Sequence, residues 1–489
     1  MNSGIRQISG RWRIPGLVDT VPGELRVDDE RRTVVLSFCA TLGIAEAHKV
    51  FPDRVKLPVI CGESVDGVPY VLGECFVWVN NFTQDAKGER AYGTVNVSHA
   101  FEGLRLPLTE SPLEFTHVTV DFGEIVGWAR LCNFNSSKEE SRHPIYSWNN
   151  SVGSKELPLG QGHDVSFGAK ARFVGCPCWS RKLTLEQGVN ADFCYSKLTP
   201  FSTIAADIRR VREIITFATG RRMAPLTAEA KIMPFRCSDG TGISQSRKCK
   251  AKVLFGDGLV PDLSEPDVFS YLFTLPELAK VAHGCEDFGC RFDKLQPALE
   301  LFLSPMITDE KMIRAQFLSI MQGLELLHTI SYGDNAHSII SGIAARYGRD
   351  GLDFEAYKQK LFGDHVFTDK DNVGLKLRLF DLLYHKGDWP IEYPFGMTFF
   401  AFLNKLKDSR DYYTHYNPEE VRKAFTEEEL SEVNWFVQAI FRYHMLKQLG
   451  FDEEIAYTRM RYGVCGYYGP ANKEEWEVRG VAEGDVRPR

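Results

Sequence analysis

The chain has 489 residues, of which 44% are hydrophobic and 12% aromatic, so it is long and apolar enough to bury the cores of two or three domains. Its net charge of −7 argues against a protein that coats nucleic acid non-specifically, because such binding needs a cationic surface. Residues 1–16 lack the apolar segment of a signal peptide, and no run of about eighteen apolar residues occurs. We therefore expect a cytoplasmic protein with no membrane partner.

The first part of the chain has the composition of strands and turns. Residues rich in β-branched and aromatic side chains predict strands at 34–38, 70–79, 93–98, 115–122 and 170–175. Asp66-Gly67 and Pro22-Gly23-Glu24 have the composition of tight turns. Because no helical pattern interrupts these strands at βαβ spacing, we predict an antiparallel, sandwich-like β domain and not a doubly wound nucleotide-binding fold.

Helical periodicity appears first at about 202–218, where Ile204 and Ile208 belong to one apolar face and Gly220 stands at the predicted end. A hairpin with a long tip is predicted at 230–256. Further helices are predicted near 268–284, 291–304, 308–330, 335–347, 353–362, 371–386, 396–414 and 427–449.

These patterns predict an α+β multidomain protein, β-rich first and all-α second. The predicted β-rich domain is 1–225, and a hairpin, a connector and linking helices occupy 226–305. An all-α bundle is predicted at 306–470, followed by a charged tail at 471–489.

The stretch Arg410-Asp411-Tyr412-Tyr413-Thr414-His415 places an arginine on an apolar helical stripe that includes Leu403 and Leu406. A guanidinium on such a stripe needs a counter-charge or a function. His415 follows five residues later, and histidine is the side chain whose unperturbed pKa lies near neutrality. Asp411 stands four residues before His415, at a spacing that allows a hydrogen bond to the imidazole.

Five residues of helix rotate through roughly 500°, which leaves Arg410 and His415 about 140° apart on a straight helix. Asn417-Pro418 follows shortly, so we expect the helix to end near His415 and to let the imidazole approach the guanidinium.

Such a pair suits phosphodiester cleavage of RNA. An imidazole accepts the proton of a ribose 2′-hydroxyl or protonates the leaving 5′ oxygen, and a guanidinium binds the charged phosphoryl oxygens. A 2′-hydroxyl nucleophile restricts the reaction to RNA and predicts a 2′,3′-cyclic phosphate product. Tyr412, Tyr413 and Tyr416 are candidates to stack unpaired bases, although tyrosines in helices commonly serve as packing residues.

A second predicted helix carries Gln322 and Glu325 on one side, while Phe317, Met321 and Leu324 face the core. Glu325 is the best candidate to neutralise Arg410 across a helix pair. The alternative interpretation is that Arg410 and Glu325 form only a structural salt bridge.

The order of a GLELLH segment, a helix ending in RDYYTH and a long capped helix resembles the HEPN domain, and more narrowly that of ApeA-type anti-phage proteins. The segments GRWRIPG, PGELRV, VVLSF and ICGESVDGVPYVLGECFV resemble the ApeA N-terminal domain.

The resemblance implies a homodimeric endoribonuclease that cuts RNA, with tRNA as one candidate, without a metal or cofactor. It implies Arg410 and His415 as catalytic residues, Asp411 at the polar position and Glu325 as a supporting residue. It further implies abortive infection after an unknown phage-derived trigger, with the β-rich domain as sensor or regulator.

One departure from the family concerns Asp411, where the family commonly has asparagine. An acid at this position favours a protonated His415 and opposes an approaching phosphate.

Two alternatives stay open at this stage. Cys237, Cys249, Cys285 and Cys290, with His283, either form a structural zinc site or are separate reduced thiols, since their spacing is looser than that of a usual zinc knuckle. The alternative to a nuclease is a sensor protein whose HEPN-like helices serve only as a dimerisation or nucleotide-binding scaffold.

Overall fold

The computed structural model describes most of the chain. The described residues are 4–42, 50–51, 55–85, 88–105, 113–131, 134–137, 145–148, 153–160, 163–174, 184–232, 249–262, 271–285, 287–348, 358–359, 373–384, 392–416 and 418–468.

The β-rich part contains one large antiparallel sheet and a small two-stranded one. Its strands are β1 Ile5–Arg13, β2 Val21–Asp28, β3 Thr33–Thr41, β4 Val55–Ser64, β5 Pro69–Asp85, β6 Gly88–Glu102, β7 Glu114–Asp121, β8 Phe134–Ser137, β9 Ile145–Trp148, β10 Lys155–Gly160, β11 His163–Val174, β12 Thr184–Pro200, β13 Thr227–Ile232 and β14 Cys249–Phe255.

The first six strands form a closed sheet. Their order is β6-β3-β2-β1-β4-β5, and β5 pairs again with β6, so the ring of hydrogen bonds has no free edge along most of its length. Alternate side chains of these strands fill the interior, among them Trp12, Leu36 and Leu72, each 0% exposed. Past its pairing with β3, β6 pairs with β14, and the order continues as β13-β7-β12-β11-β10.

The prediction of an antiparallel β-rich part is confirmed, and each predicted strand lies within or overlaps a strand of this sheet. The turn at Asp66-Gly67 is also confirmed, since the Gly67 N–H donates to the Ser64 carbonyl at 2.9 Å and Gly67 has φ +78°.

The predicted turn at Pro22-Gly23-Glu24 is wrong, because these residues belong to β2. Pro22 pairs with Arg11 at the start of the strand, before the ladder between β2 and β3 begins at Gly23. Gly23 is needed for close packing, since a Cβ there would lie 2.7 Å from the Ser37 carbonyl oxygen.

The helices are α1 Val126–Ala129, α2 Phe201–Thr219, α3 Leu275–His283, α4 Phe288–Ile307, α5 Ile313–Tyr332, α6 Ala336–Gly348, α7 Leu375–Leu383, α8 Phe399–His415, α9 Glu429–Leu449 and α10 Glu453–Tyr468, with a 3-10 turn at Pro394–Gly396. Among the described helices, none is both long enough and apolar enough to span a membrane.

Most predicted helices are confirmed within a few residues of their ends. Gly220, with φ +62°, follows α2 as predicted, and the 230–256 hairpin is confirmed by the antiparallel pairing of β13 with β14. The predicted helix at 353–362 lies almost wholly outside the described residues, as does the 471–489 tail. Helix α10 was not predicted, although Glu453 and Glu454 in its first turn are typical of a helix start.

The chain divides into two compact units. The first comprises Met1–Thr216, Arg221–Glu265 and Leu275–His283, and the second Phe217–Gly220, Pro266–Thr274 and Gly284–Arg489. In the second unit, α5 packs against α4 and α9, and the rings of Phe302 and Phe441 stack with centroids 4.1 Å apart. Helix α8 packs against α5 and α7 in the same unit.

Candidate active site

The candidate site lies at the end of α8. Leu403 and Leu406, both 0% exposed, anchor the core face of this helix. The helix ends at His415, as predicted, because Tyr416 adopts the left-handed conformation (φ 53°) and its N–H donates to the Tyr412 carbonyl at 2.6 Å. His415 is therefore the last helical residue and is exposed.

Helix α8 is tied to the segment that precedes α9. The buried Ser409 hydroxyl accepts a hydrogen bond from the Phe425 N–H at 2.7 Å and donates to the Lys405 carbonyl at 2.6 Å. The Tyr413 hydroxyl donates to the Phe425 carbonyl at 2.9 Å. Tyr413 is 6% exposed, so it packs in the core and does not present its ring for base stacking.

The start of α9 is stabilised by a capping box, as its sequence indicates. The Thr426 N–H donates to Glu429 at 2.8 Å, and the Glu429 N–H donates to the Thr426 hydroxyl at 3.2 Å. Glu429 also binds the Lys405 ammonium at 3.0 Å. These contacts fix the orientation of the last turns of α8.

Arg410 makes a two-pronged salt bridge with Glu325 of α5. Its Nε donates to Oε1 at 3.0 Å and its Nη2 to Oε2 at 3.2 Å. The side chains are 25% and 22% exposed, so this pair is half-buried and reached by solvent. The predicted partnership of Arg410 with Glu325 is therefore present, while Gln322 is exposed one turn earlier on α5.

Asp411 has different partners from those expected. Its Oδ2 accepts a hydrogen bond from the Lys407 ammonium at 2.9 Å, and its Oδ1 accepts one from Arg410 Nη1 at 3.3 Å. The expected hydrogen bond from the His415 imidazole to the Asp411 carboxylate is absent among the described residues. Asp411 pairs with Lys407 because Lys407 lies one turn earlier on the same face of the helix and carries a full positive charge.

Charged groups of both signs lie along or beside α8 near Arg410. The cations are Lys376, Lys407 and Arg410, and the carboxylates are Asp408, Asp411 and Glu325. The hydrogen bond to Asp411 raises the pKa of Lys407, whereas burial, followed by repulsion from Lys407, lowers the pKa of Lys376. Lys407 therefore offsets the negative charge of Asp411.

The exposed end of α8 carries the groups available to a ligand. Tyr416 is 53% exposed, Tyr412 is half-buried, and their ring centroids are 5.8 Å apart. Because α8 stays helical through His415, Arg410 and His415 leave the helix about 140° apart. Arg410 points toward α5, whereas His415 projects from the helix end.

Lys407 and Lys376 were not predicted at this site, although the spacing of Lys407 and Asp411 was a usable signal. A buried pair on α5 and α7 was not predicted either. In it, His328 Nε2 lies 3.1 Å from the Asp381 carboxylate, and His328 is 0% exposed.

The zinc alternative concerns cysteines that are only partly described. Cys285 and Cys290 are free thiols, and Cys237 lies outside the described residues. In the part of the chain that the structure describes, no group of three or more His, Cys, Asp or Glu side chains could hold a metal ion.

Comparison with protein families gives two matches. Residues 7–232 match the ApeA N-terminal domain 1 model, and residues 318–455 match the Apea-like HEPN model. The second match contains Glu325, Arg410 and His415. Comparisons with curated proteins and with solved structures found no match.

Proposed function

We propose that this chain, an ApeA-type protein with a C-terminal HEPN domain, is a metal-independent endoribonuclease that acts in anti-phage defence by abortive infection. The single observation that carries this proposal is the placement of Arg410 and His415. The arginine is held by Glu325 but reached by solvent, and the histidine is exposed at the end of the same helix.

The residues have distinct roles in the proposed reaction. His415 accepts the proton of the ribose 2′-hydroxyl, or in its protonated form donates a proton to the leaving 5′ oxygen. The 2′ oxygen attacks phosphorus, the bond to the 5′ oxygen breaks, and the RNA upstream ends in a 2′,3′-cyclic phosphate. Arg410 stabilises the charge on the phosphoryl oxygens.

Arg410 retains donors for this role. A guanidinium has five N–H groups, and three of those of Arg410 donate to Glu325 and Asp411. The remaining N–H groups suit a phosphoryl oxygen, and the two-pronged bridge restricts the side chain to one orientation. Glu325 is thus a supporting residue and Asp411 a charge-modulating one.

The proposed enzyme is a homodimer in which two Arg-x4-His motifs line one cleft. The divergence of Arg410 and His415 on a single α8 supports this arrangement, because a second copy supplies the missing group at each end of the cleft. RNA, with tRNA as one candidate, lies along this cleft, where Tyr412 and Tyr416 stack against unpaired bases. Exposed Gln322 supports the RNA from α5.

The proposed cellular role assigns sensing to the β-rich domain and cutting to the helical one. A phage-derived trigger acts on the β-rich domain and activates the nuclease in the cytoplasm. No cofactor takes part in this scheme.

The test compares the wild type with His415→Ala and Arg410→Ala. Induced cells are assayed for growth arrest, and cellular RNA is sequenced for 2′,3′-cyclic phosphate ends. We expect both variants to lose cleavage and toxicity while keeping the oligomeric state of the wild type. His337→Ala removes an exposed histidine on α6 and serves as the matched control, which should cut like the wild type. If His415→Ala and Arg410→Ala both still cut RNA in EDTA, the assignment of the site is wrong.

A second candidate function is a non-catalytic HEPN-like scaffold for dimerisation or nucleotide binding. The observation in its favour is the salt bridge of Arg410 with Glu325 and Asp411, which a purely structural arginine would also make. Purified protein that releases no cyclic-phosphate ends from total RNA, even with phage lysate, would establish this alternative.

A further inference from the structure

A cavity of about 570 Å³ lies in the β-rich unit, where β1, β4 and the start of β5 meet. Arg11 and Arg13 line it from β1. Both side chains are exposed, whereas Trp12 between them is fully buried in the closed sheet. Arg105, which follows β6, lines another side of the cavity. Three guanidinium groups thus surround one concave surface.

Positive charge is in excess in this cavity. Glu63 is the one carboxylate among the lining residues, and it lies opposite Arg11 in the pairing of β1 with β4. Its Oε2 nevertheless accepts a hydrogen bond from Arg105 Nη2 at 2.8 Å. One carboxylate against three guanidinium groups leaves two positive charges uncompensated within the lining. A local excess of positive charge in a chain whose net charge is −7 favours the binding of an anion at this cavity.

The hydrogen-bond donors of the two β1 arginines are only partly used. Arg11 Nε donates to the Thr20 hydroxyl at 3.1 Å, and Nη2 donates to the Thr20 carbonyl at 3.3 Å. These bonds orient the guanidinium and leave the N–H groups of Nη1 available to a ligand. The side chain of Arg13 makes no hydrogen bond or ion pair with the residues that the structure describes. The two side chains therefore offer donors from adjacent outward positions of one strand, which suits the oxygens of a phosphate group.

The rest of the lining suits an apolar body attached to such a phosphate. Val65 is exposed, Pro69 is half-buried, and both line the cavity. The backbone at Gly62 forms part of its wall. A Cβ at Gly62 would lie 2.1 Å from the Trp12 ring. This part of the wall is therefore backbone that packs directly against the buried Trp12 ring. The volume lies within the range of about 300–1,000 Å³ of small-molecule sites. A polynucleotide would instead need a cationic track extending beyond one cavity.

We propose that this cavity binds a phosphorylated small molecule of nucleotide size, whose phosphate is held by Arg11 and Arg13. Val65 and Pro69 contact the remainder of the ligand. All residues of this site belong to the β-rich unit, so the proposal does not depend on nuclease activity. It identifies a class of ligand for the proposed sensor domain.

The test uses full-length protein carrying His415→Ala, so that RNA cleavage and toxicity do not interfere. AMP, GMP, CMP and UMP are titrated by isothermal calorimetry, with adenosine as the probe that lacks a phosphate and inorganic phosphate as competitor. We expect at least one mononucleotide to bind saturably, adenosine to bind at least about tenfold more weakly, and phosphate to compete, because charge-assisted bonds dominate.

Substitutions locate the site. Arg11→Gln and Arg13→Gln should each weaken mononucleotide binding about tenfold or more. Arg26→Gln removes an exposed arginine from β2 and should not change it. Arg410→Ala should also leave it unchanged, which separates this cavity from the proposed nuclease site. All variants are checked for an unchanged thermal melt.

Three results would overturn the proposal. The first is the absence of saturable binding of every mononucleotide at about 1 mM. The second is binding that persists in Arg11→Gln and Arg13→Gln. The third is Arg13-dependent binding of a single-stranded RNA without binding of mononucleotides, which would make the surface part of an RNA track.

Discussion

At the scale of single residues, the proposed function of the site depends on how the negative charge of Asp411 is neutralised. An uncompensated carboxylate beside Arg410 would repel a phosphate, but Lys407 lies 2.9 Å from it and offsets its charge. The interaction is partly exposed, with side chains 34% and 26% accessible, so solvent screens it and its contribution is modest. Lys407 is a positioning residue in this scheme, since it acts through Asp411 and not on the substrate.

This compensation predicts a coupling between Asp411 and Lys407. Asp411→Asn should raise kcat/KM for RNA cleavage about 2- to 5-fold, since partly exposed charge pairs contribute roughly 0.2–1 kcal/mol. Lys407→Gln should lower it by a similar factor when Asp411 is present and by less in the Asp411→Asn background. The measurement is a double-mutant cycle of initial cleavage rates at low and high salt.

Lys423→Gln is the matched control for this cycle, because Lys423 is an exposed lysine of the segment between α8 and α9. Its cleavage rate should equal that of the wild type. Equal effects of Lys407→Gln in both backgrounds would show that Lys407 does not act through Asp411.

At the scale of elements, the direction of the last turns of α8 is set by the segment before α9. The Ser409 hydroxyl and the Tyr413 hydroxyl hold the backbone of Phe425 on both its N–H and its carbonyl side. These bonds are buried, so breaking one leaves a backbone group without a partner and without water. The position of Arg410 next to Glu325 thus depends on residues outside the Arg410–Glu325 pair itself.

Ser409→Ala should lower the free energy of unfolding by about 1–3 kcal/mol, because it leaves the buried Phe425 N–H unsatisfied. Chemical denaturation followed by circular dichroism measures this change. Thr414→Ala is the control, since the Thr414 hydroxyl also donates to a helix carbonyl, that of Arg410, but is exposed. Its effect should stay within about 0.5 kcal/mol. Similar losses in the two variants would mean that the Phe425 contact does not stabilise the domain.

At the scale of the whole molecule, the proposed cleft requires two copies. Arg410 and His415 leave one helix in directions about 140° apart, so one copy does not bring both groups to one phosphate without a bend at the helix end. The helix remains regular through His415. In the proposed twofold dimer, the Arg410 of one copy would lie near the His415 of the other in both halves of the cleft.

Mixing two inactive proteins tests this arrangement. Arg410→Ala and His415→Ala, refolded or co-expressed together, should regain about a quarter of wild-type cleavage, because half of the dimers are then mixed and each mixed dimer has one intact Arg–His pair. Each variant alone should remain inactive. A mixture that forms mixed dimers, detected by two affinity tags, but stays inactive would place both groups of one site on a single copy.

The sequence by itself determined the kinds of element and the candidate residues. β-Branched and aromatic runs identified strands such as β5 and β6, because side-chain alternation and propensity are local properties. Arg410 and His415 were identified by their place at the end of a helical pattern, and Glu325 by the face it shares on α5. Local signals also gave the capping box of α9, since its residues are close in the chain.

Only the tertiary structure decided which distant groups meet. The closure of the first six strands depends on β5 pairing with β6 after β1 has paired with β4, and no local pattern encodes that order. Whether Asp411 pairs with Lys407 or with His415 depends on where the two side chains lie on the helix surface. The three arginines around the cavity come from β1 and from the segment after β6, so their convergence is a consequence of strand pairing. Non-local contacts of this kind arise from packing, which sequence spacing does not contain.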